Sequence, residues 1–217
     1  MIYIKGKKVA PTFLIERQDQ EPIEVTLPED FEGSNTIYYF KLDDNKYLFS
    51  SNKSNIGVWL WTADTNVFEQ KYTKRASWLH FQLLSNGDCL ISGNELTEGI
   101  LLYNHLDDTI TQKYTSNSGW KSFKLLSGED CLIGGSSSSN SGILLYNHLD
   151  NTITQIYSLG YQWSYFQELN NGDCLIGSST SITSTHGVLF YNHLDNTITQ
   201  KYTNSANWKY FQELQEQ

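Results

Sequence analysis

GILLYNHLDNTITQ at residues 142–155 and GVLFYNHLDNTITQ at residues 187–200 are near-copies, and two more versions of the same unit open at Gly57 and Gly99. The four glycines are spaced by 42, 43 and 45 residues, so the chain is an array of repeats whose architecture is read from the period before any single residue is considered.

The two ends supply one further copy. WKYFQELQEQ at 208–217 matches WSYFQELNNG at 163–172, and the chain stops where the template continues with DCLIG. MIYIKG, from Met1, takes the place of DCLISG, and a constant offset of 87 then sets Thr12 on Gly99 and Ile23 on Ile110 with no residue left over. The chain therefore reads as one domain, residues 1–217, of five units. Its C-terminal strand at 208–214 is expected to pair with three strands from the N-terminal segment and close a ring, which removes the exposed edges of a linear array.

Each unit holds four short segments rich in aromatic and β-branched residues, for example 163–169, 174–176, 188–192 and 197–202. Asn-Gly, Gly-Glu-Asp, Leu-Asp-Asn and Ser-rich clusters separate them, which are residues that tolerate tight turns. No segment carries a sustained helical period. Four antiparallel strands per 40- to 45-residue repeat predict an all-β fold, a five-bladed β-propeller of four-stranded antiparallel blades.

WSYFQELNNGDCLIGSSTSITSTHGVLFYNHLDNTITQKY resembles a Trp-Asp-type (WD-like) propeller repeat, with Tyr191-Asn192 where such repeats carry the Trp-Asp pair. Trp61-Thr62, Tyr103-Asn104 and Tyr146-Asn147 hold the same place in the other units, while the initial Gly-His pair of that family is absent. CLIGS followed by GVLFY is equally similar to propeller repeats of bacterial sensor ectodomains. Five blades and short polar repeats also resemble tachylectin-type lectins in size and texture. The WD-like resemblance implies that the first strand of each blade is innermost and the fourth outermost.

The composition, 39 % apolar and 14 % aromatic, suffices for a core, and the net charge of −9 opposes nucleic acid and anionic membranes, which select clustered Lys and Arg. The N-terminal stretch has no apolar run long enough for a secretory signal or a membrane span, and the expected location is cytoplasmic, as a monomer. Cys89, Cys131 and Cys174 repeat at one strand position in three blades. Sheets stack about 10 Å apart, too far for a disulfide, so three buried thiols are expected.

No phosphate loop, zinc-protease helix, nucleophile elbow or paired-cysteine motif is present, and no enzyme and no cofactor are expected. His105, His148 and His193 repeat once per blade, which separates them too far to converge on one metal ion. They read as turn residues copied with their blades, as do Asp107, Asp150 and Asp195. By analogy with propeller glycoside hydrolases, a catalytic pair would be acids on the first strands; Glu168 and Glu213 are the candidates, and they read as channel lining.

What remains is a surface. The loops 52–55, 94–98, 136–141 and 178–186, with the links 74–77, 116–119, 158–162 and 204–207, vary while the strands barely change, and they are expected to share one face. That face is read as the binding face, opposite the uniform, acidic NHLD turns. Four links end on a tryptophan: Trp78, Trp120, Trp163 and Trp208, with Thr36 in the fifth place. These indoles either wedge between blades or, with Asn117, Tyr161, Asn204 and Asn207 beside them, offer stacking platforms for a sugar. The loops around the four are unlike one another. The expected function is therefore a protein-interaction scaffold on the variable-loop face, with a multivalent carbohydrate-binding lectin as the alternative, and the partner is a protein or a glycan.

Overall fold

A computed structural model describes residues 2–3, 12–17, 20–34, 36–53, 56–74, 76–93, 99–116, 118–136, 141–159, 162–178, 187–203 and 211. The chain forms two compact units, Met1–Glu95 with Leu101–Gln112 and Leu96–Ile100 with Lys113–Gln217.

Among the described residues the only helix is one 3-10 turn, Glu29–Phe31; all other regular structure is strand. The first unit contains a two-stranded sheet of β2 (Thr12–Arg17) and β3 (Gln20–Thr26). Its second sheet runs β1 (Ile2–Tyr3), β4 (Thr36–Lys41), β5 (Lys46–Ser51), β6 (Val58–Thr62), β7 (Val67–Tyr72). A third sheet holds β8 (Trp78–Leu83), β9 (Cys89–Gly93), β10 (Ile100–Asn104) and β11 (Thr109–Tyr114). The second unit carries β12 (Trp120–Leu125), β13 (Cys131–Gly135), β14 (Ile143–Asn147) and β15 (Thr152–Tyr157). Its last sheet is β16 (Trp163–Glu168), β17 (Cys174–Ser178), β18 (Gly187–Asn192) and β19 (Thr197–Thr203). Four sheets built on a consecutive four-stranded antiparallel motif, with the two-stranded β2–β3 sheet as a fifth, are consistent with the blades of a five-bladed β-propeller.

The N-terminal segment departs from the expected pairing. The constant offset makes β1 the neighbour of β2, whereas β1 pairs with β4, Ile2 opposite Ile37 and Tyr3 opposite Thr36. The free edge of β4 carries unpaired N–H and C=O groups, and a short antiparallel strand satisfies some of them. The closing strand expected at 208–214 lies outside the described residues, apart from Phe211.

The second strands are buried along their length except at Lys46 in β5 and Leu175 in β17, as strands covered on both faces must be. Their side chains alternate between two cores. In β5, Tyr47 and Phe49 pack with Ile15, Val25, Phe31 and Trp61, joining this sheet to the β2–β3 pair. Leu48, on the opposite face, packs with Trp78, Cys89, Ile91 and Tyr103 of the next sheet. The second unit repeats the arrangement: Leu132 and Leu145 meet Trp163, Cys174, Ile176 and Tyr191. The fourth strands are the exposed ones, with β19 open along most of its length.

The opening glycines are required by close approach. A Cβ built on Gly57, Gly99, Gly142 or Gly187 would lie 2.0, 1.9, 1.9 or 1.4 Å from the carbonyl oxygen of Tyr72, Tyr114, Tyr157 or Tyr202, on the fourth strand of the same blade. Gly57 and Gly99 also adopt φ of +73° and +78°, but Gly142 and Gly187 lie outside the left-handed region, so conformational freedom is not the shared reason. At three of these points the ladder slips by one residue, as between Ile143 and Leu144.

The turn between third and fourth strands is fixed by a second repeated device. Asn66, Asp108, Asn151 and Asn196 stand at φ of 53° to 58°, which Asn and Asp tolerate better than other side chains. Each accepts a hydrogen bond from the aromatic residue five positions earlier. Tyr103 Oη donates to Asp108 at 2.5 Å, Tyr146 to Asn151 at 2.7 Å and Tyr191 to Asn196 at 2.6 Å, and Trp61 Nε1 donates to Asn66 at 3.1 Å. Tyr and Trp are thus interchangeable at this third-strand position because both present a donor at the far end of a buried ring.

Candidate functional site

The three described indoles of the candidate site are core residues. Trp78, Trp120 and Trp163 are 0 %, 0 % and 1 % exposed. Each meets the edge of a tyrosine from the preceding fourth strand: Tyr72–Trp78 at 5.6 Å and 84°, Tyr114–Trp120 at 5.8 Å and 85°, Tyr157–Trp163 at 5.7 Å and 81°. Trp163 Nε1 donates to the Leu159 carbonyl at 3.2 Å. A sugar needs an accessible ring face, and these three present none, so the interblade wedge is the role their geometry supports. Thr36, in the fifth place, is also buried. Asn117, Tyr161, Asn204, Asn207 and Trp208 lie outside the described residues, as do 54–55, 94–98, 137–140 and 179–186 of the variable loops.

The repeated polar residues are bonded within their own blades. Asp88 Oδ1 accepts the His105 backbone N–H at 2.9 Å and lies 2.8 Å from its Nδ1. Asp130 holds His148 in the same way (2.9 and 2.8 Å), and Asp173 holds His193 (3.0 and 2.9 Å). The carboxylate thus ties the start of the second strand to the turn after the third. In the blade of β4–β7 Lys46 and Ala63 stand at the two positions, so the pair is lost together. There, Ala63 N–H donates to the Asn45 carbonyl and Asp64 N–H to Asn45 Oδ1, each at 2.8 Å. Asp107, Asp150 and Asp195 accept from the backbone N–H and hydroxyl of Thr109, Thr152 and Thr197. Those bonds, from Thr109 and Thr152 first, hold the carboxyls of Asp107 and Asp150 below the usual range. Among the described residues, no group of three or more His, Cys, Asp or Glu side chains forms a metal cage.

Glu168 is engaged by the neighbouring blade of its own unit. Its carboxylate accepts the Ser127 backbone N–H at 2.7 Å and lies 3.2 Å from Lys124 Nζ. Burial acts to raise its pKa, but these partners outweigh burial and leave it below the usual value. This favours an ionised anchor between β12 and β16 over a proton donor. Glu213 lies outside the described residues. The cysteines are free and buried. Desolvation pushes the thiols of Cys131 and Cys174 up to about 12, and Cys89 is raised for the same reason.

Two features escaped the sequence reading. Leu106, Leu149 and Leu194, the leucines of the NHLD turns, are 82 %, 81 % and 83 % exposed. The turn uses only their backbone, since each N–H donates to the side chain of Asn104, Asn147 or Asn192 at 2.9 Å. An apolar residue inside a cluster of turn formers was the available signal. The second feature is Glu129, at φ 72°, whose carboxylate lies 3.7 Å from His148 Nε2. Gly87 and Gly172 hold that position in the sister blades.

No protein-family model and no curated relative matches the sequence. Solved structures do resemble it. The extracellular domain of the putative one component system BT4673 from B. thetaiotaomicron is 11 % identical, with a TM-score of 0.52 over 90 % of this chain and 25 % of that one. The dihydro-heme d1 dehydrogenase NirN, in complex with DHE, is 10 % identical, with a TM-score of 0.56 over 85 % and 39 %. The tricorn protease is 12 % identical, with a TM-score of 0.50 over 82 % and 17 %. The chain thus spans well under half the length of each of these three structures. At this identity the likeness is one of fold, and the fold is a β-propeller.

Proposed function

We propose that this chain is a non-catalytic protein-interaction scaffold whose recognition residues lie in the variable loops at one end of its blades. One observation carries the reading. In the described blades the recurring Asp–His pairs are hydrogen-bonded within their own blades, the recurring Tyr–Gln bonds of the fourth strands link one blade to the next, and the indoles that open the blades are buried, so this repeated chemistry is accounted for by folding. The sequence not spent in this way is the loops, which differ from copy to copy, and the exposed leucines of the NHLD turns at the opposite ends of the strands. A partner in contact with several unlike loops is what such diversity suits, whereas repeated sugar sites call for similar surroundings.

The test is loop exchange. A partner recovered by affinity capture is purified, and its binding to the full chain is measured by calorimetry. Replacing residues 179–185 by a Gly-Ser segment of equal length is expected to abolish binding, and a variant with Leu106, Leu149 and Leu194 all changed to Asp is expected to retain it. Loss only in the leucine variant moves the interface to the turns. Binding that survives both changes overturns the proposal.

A further inference from the structure

Two of the turns that precede second strands carry Asn-Gly: Asn86-Gly87 before β9 and Asn171-Gly172 before β17. Asn-Gly is the pair at which a chain most readily modifies itself, because no Cβ crowds the nitrogen after the asparagine and its backbone turns freely. On losing its proton, that nitrogen attacks the side-chain carbon Cγ. The new N–Cγ bond closes a five-membered succinimide, the Cγ–Nδ2 bond breaks, and ammonia leaves with the proton. Water then opens the ring to aspartate or to its β-linked isomer. Both asparagines are exposed, so water reaches them.

In the folded turn each reacting group is tied down. Gly87 N–H donates to the Leu84 carbonyl at 3.1 Å and Gly172 N–H to that of Leu169 at 2.9 Å, so the proton that must leave is engaged. The side-chain amide is held at both ends. Asn86 Oδ1 accepts the Asp88 N–H at 3.0 Å, and its Nδ2 donates to Asp88 Oδ2 at 2.9 Å. Asn171 makes the same two bonds with Asp173, at 3.1 and 2.7 Å. A further restraint comes through the same carboxylate. Oδ1 of Asp88 holds the His105 ring, which lies against Gly87, 3.1 Å from where a Cβ would stand. His193, held by Asp173, lies over Gly172 at 3.3 Å. One aspartate per turn therefore fixes both the amide to be attacked and the ring that packs on the attacking glycine.

We propose that Asn86 and Asn171 are latent self-modification sites, and that Asp88 and Asp173 keep them unreacted in the folded chain. Reaction then proceeds only from an opened turn, at a rate scaled by the open fraction. The change is one-way. Its product lacks the Nδ2 donor and sets a carboxylate against Asp88 or Asp173 in its place, so the original turn does not re-form. The blade of β12–β15 has Gly128-Glu129 at these two positions and carries no such site. One site lies in each compact unit, so the chain records the opening of either.

Peptide mapping by mass spectrometry tests this, after the full chain has been incubated in warm, mildly alkaline buffer with and without guanidinium chloride. Conversion at both asparagines is expected to be about tenfold or more slower in buffer than in denaturant. Equal rates overturn the proposal. Asp88→Ala is expected to speed conversion of Asn86 about fivefold, the worth of one hydrogen bond, while Asn171 in the same molecule keeps its rate. Asp173→Ala is expected to do the reverse. Asp88→Asn, the milder change, retains one acceptor and is expected to fall between. An unchanged rate at Asn86 in both Asp88 variants overturns the proposal. So does equal acceleration of the two asparagines in Asp88→Asn, because a general loosening of the chain then explains the effect.

Discussion

Gly142→Ala isolates the contact on which the repeat is built. A Cβ on Gly142 would stand 1.9 Å from the Tyr157 carbonyl oxygen, against the 3.0 Å that real Cβ atoms keep, so the end of β15 must retreat by about 1.1 Å. Tyr157 is backbone-paired with Ile143 and its ring meets Trp163 edge-on. Moving it strains one or two ladder hydrogen bonds, each worth about 1 kcal/mol net. It also disturbs an aromatic pair worth about 0.5–1.5 kcal/mol. Alanine recovers about 0.4–1 kcal/mol by restricting the unfolded chain. The expected net loss is about 1–3 kcal/mol. Gly128→Ala is the matched control, because nothing lies within 4 Å of its Cβ position and its φ is not in the left-handed region. That variant should be neutral or stabilised by up to about 1 kcal/mol. Urea unfolding followed by tryptophan fluorescence, with equal m-values, gives both numbers. If the two variants are equally stable, close approach is not why the repeat opens with glycine.

Three further outcomes follow from the turns and cores. Tyr146→Phe deletes the hydroxyl that donates to Asn151 and should cost about 1 kcal/mol in the same assay, with the fold retained by circular dichroism. Asp108 is held below the usual carboxylate pKa: burial acts to raise it, but the bonds from Lys46 and Tyr103 outweigh burial. A depressed folded-state pKa contributes stability above the unfolded value, about 3.9, that is lost as pH falls through the folded value. Asp108→Asn should therefore flatten the acid limb of a stability–pH curve while costing about 0–1 kcal/mol near neutrality, because the Lys46 pair is partly exposed. The tyrosine bond survives that change, as Asn151 and Asn196 already demonstrate. Finally, thiols raised to about 12 by burial, as Cys131 and Cys174 are, should resist a disulfide reagent at pH 8 and react only as fast as the protein opens. Prompt labelling of the native chain would refute their burial.

Period and turn composition made the blades legible, because strand length, β-branched content and Asn-Gly signals all agree within each copy. The expected strands at 163–169, 174–176, 188–192 and 197–202 correspond to β16–β19 with shifts of at most two residues at their ends. Pairing at the N-terminus was not legible. MIYIKG matches the template only weakly, and an edge such as β4 accepts any short strand of suitable chemistry, so similarity to DCLISG could not specify a neighbour. The tryptophans show a different limit. An indole at a link looks the same in sequence whether it faces solvent or the next sheet, and only the tyrosine edges meeting Trp78, Trp120 and Trp163 decide the matter. The leucines were hidden by the opposite habit, since an apolar residue is ordinarily assigned inward. Glu129 sits within the Gly-Glu-Asp turn signal, but its distance to His148 exists only in three dimensions.

The alternation of second-strand side chains between two cores separates the unit of duplication from the unit of stability. A copied blade brings two half-cores, never a whole one. In the interface at β8–β10 the residues are Trp78, Cys89, Ile91, Leu101 and Tyr103, and at β16–β18 they are Trp163, Cys174, Ile176, Leu189 and Tyr191. These halves are chemically interchangeable, so packing alone does not tell one copy from another. The first interface differs in its residues: Phe31, Phe49, Trp59, Trp61 and Phe68 pack there instead of the Trp–Cys–Ile–Leu–Tyr set shared by the other two. Among the described junctions this one therefore joins surfaces that the other two do not present, so exchanging its sheets with a copy from elsewhere in the array does not conserve the packing.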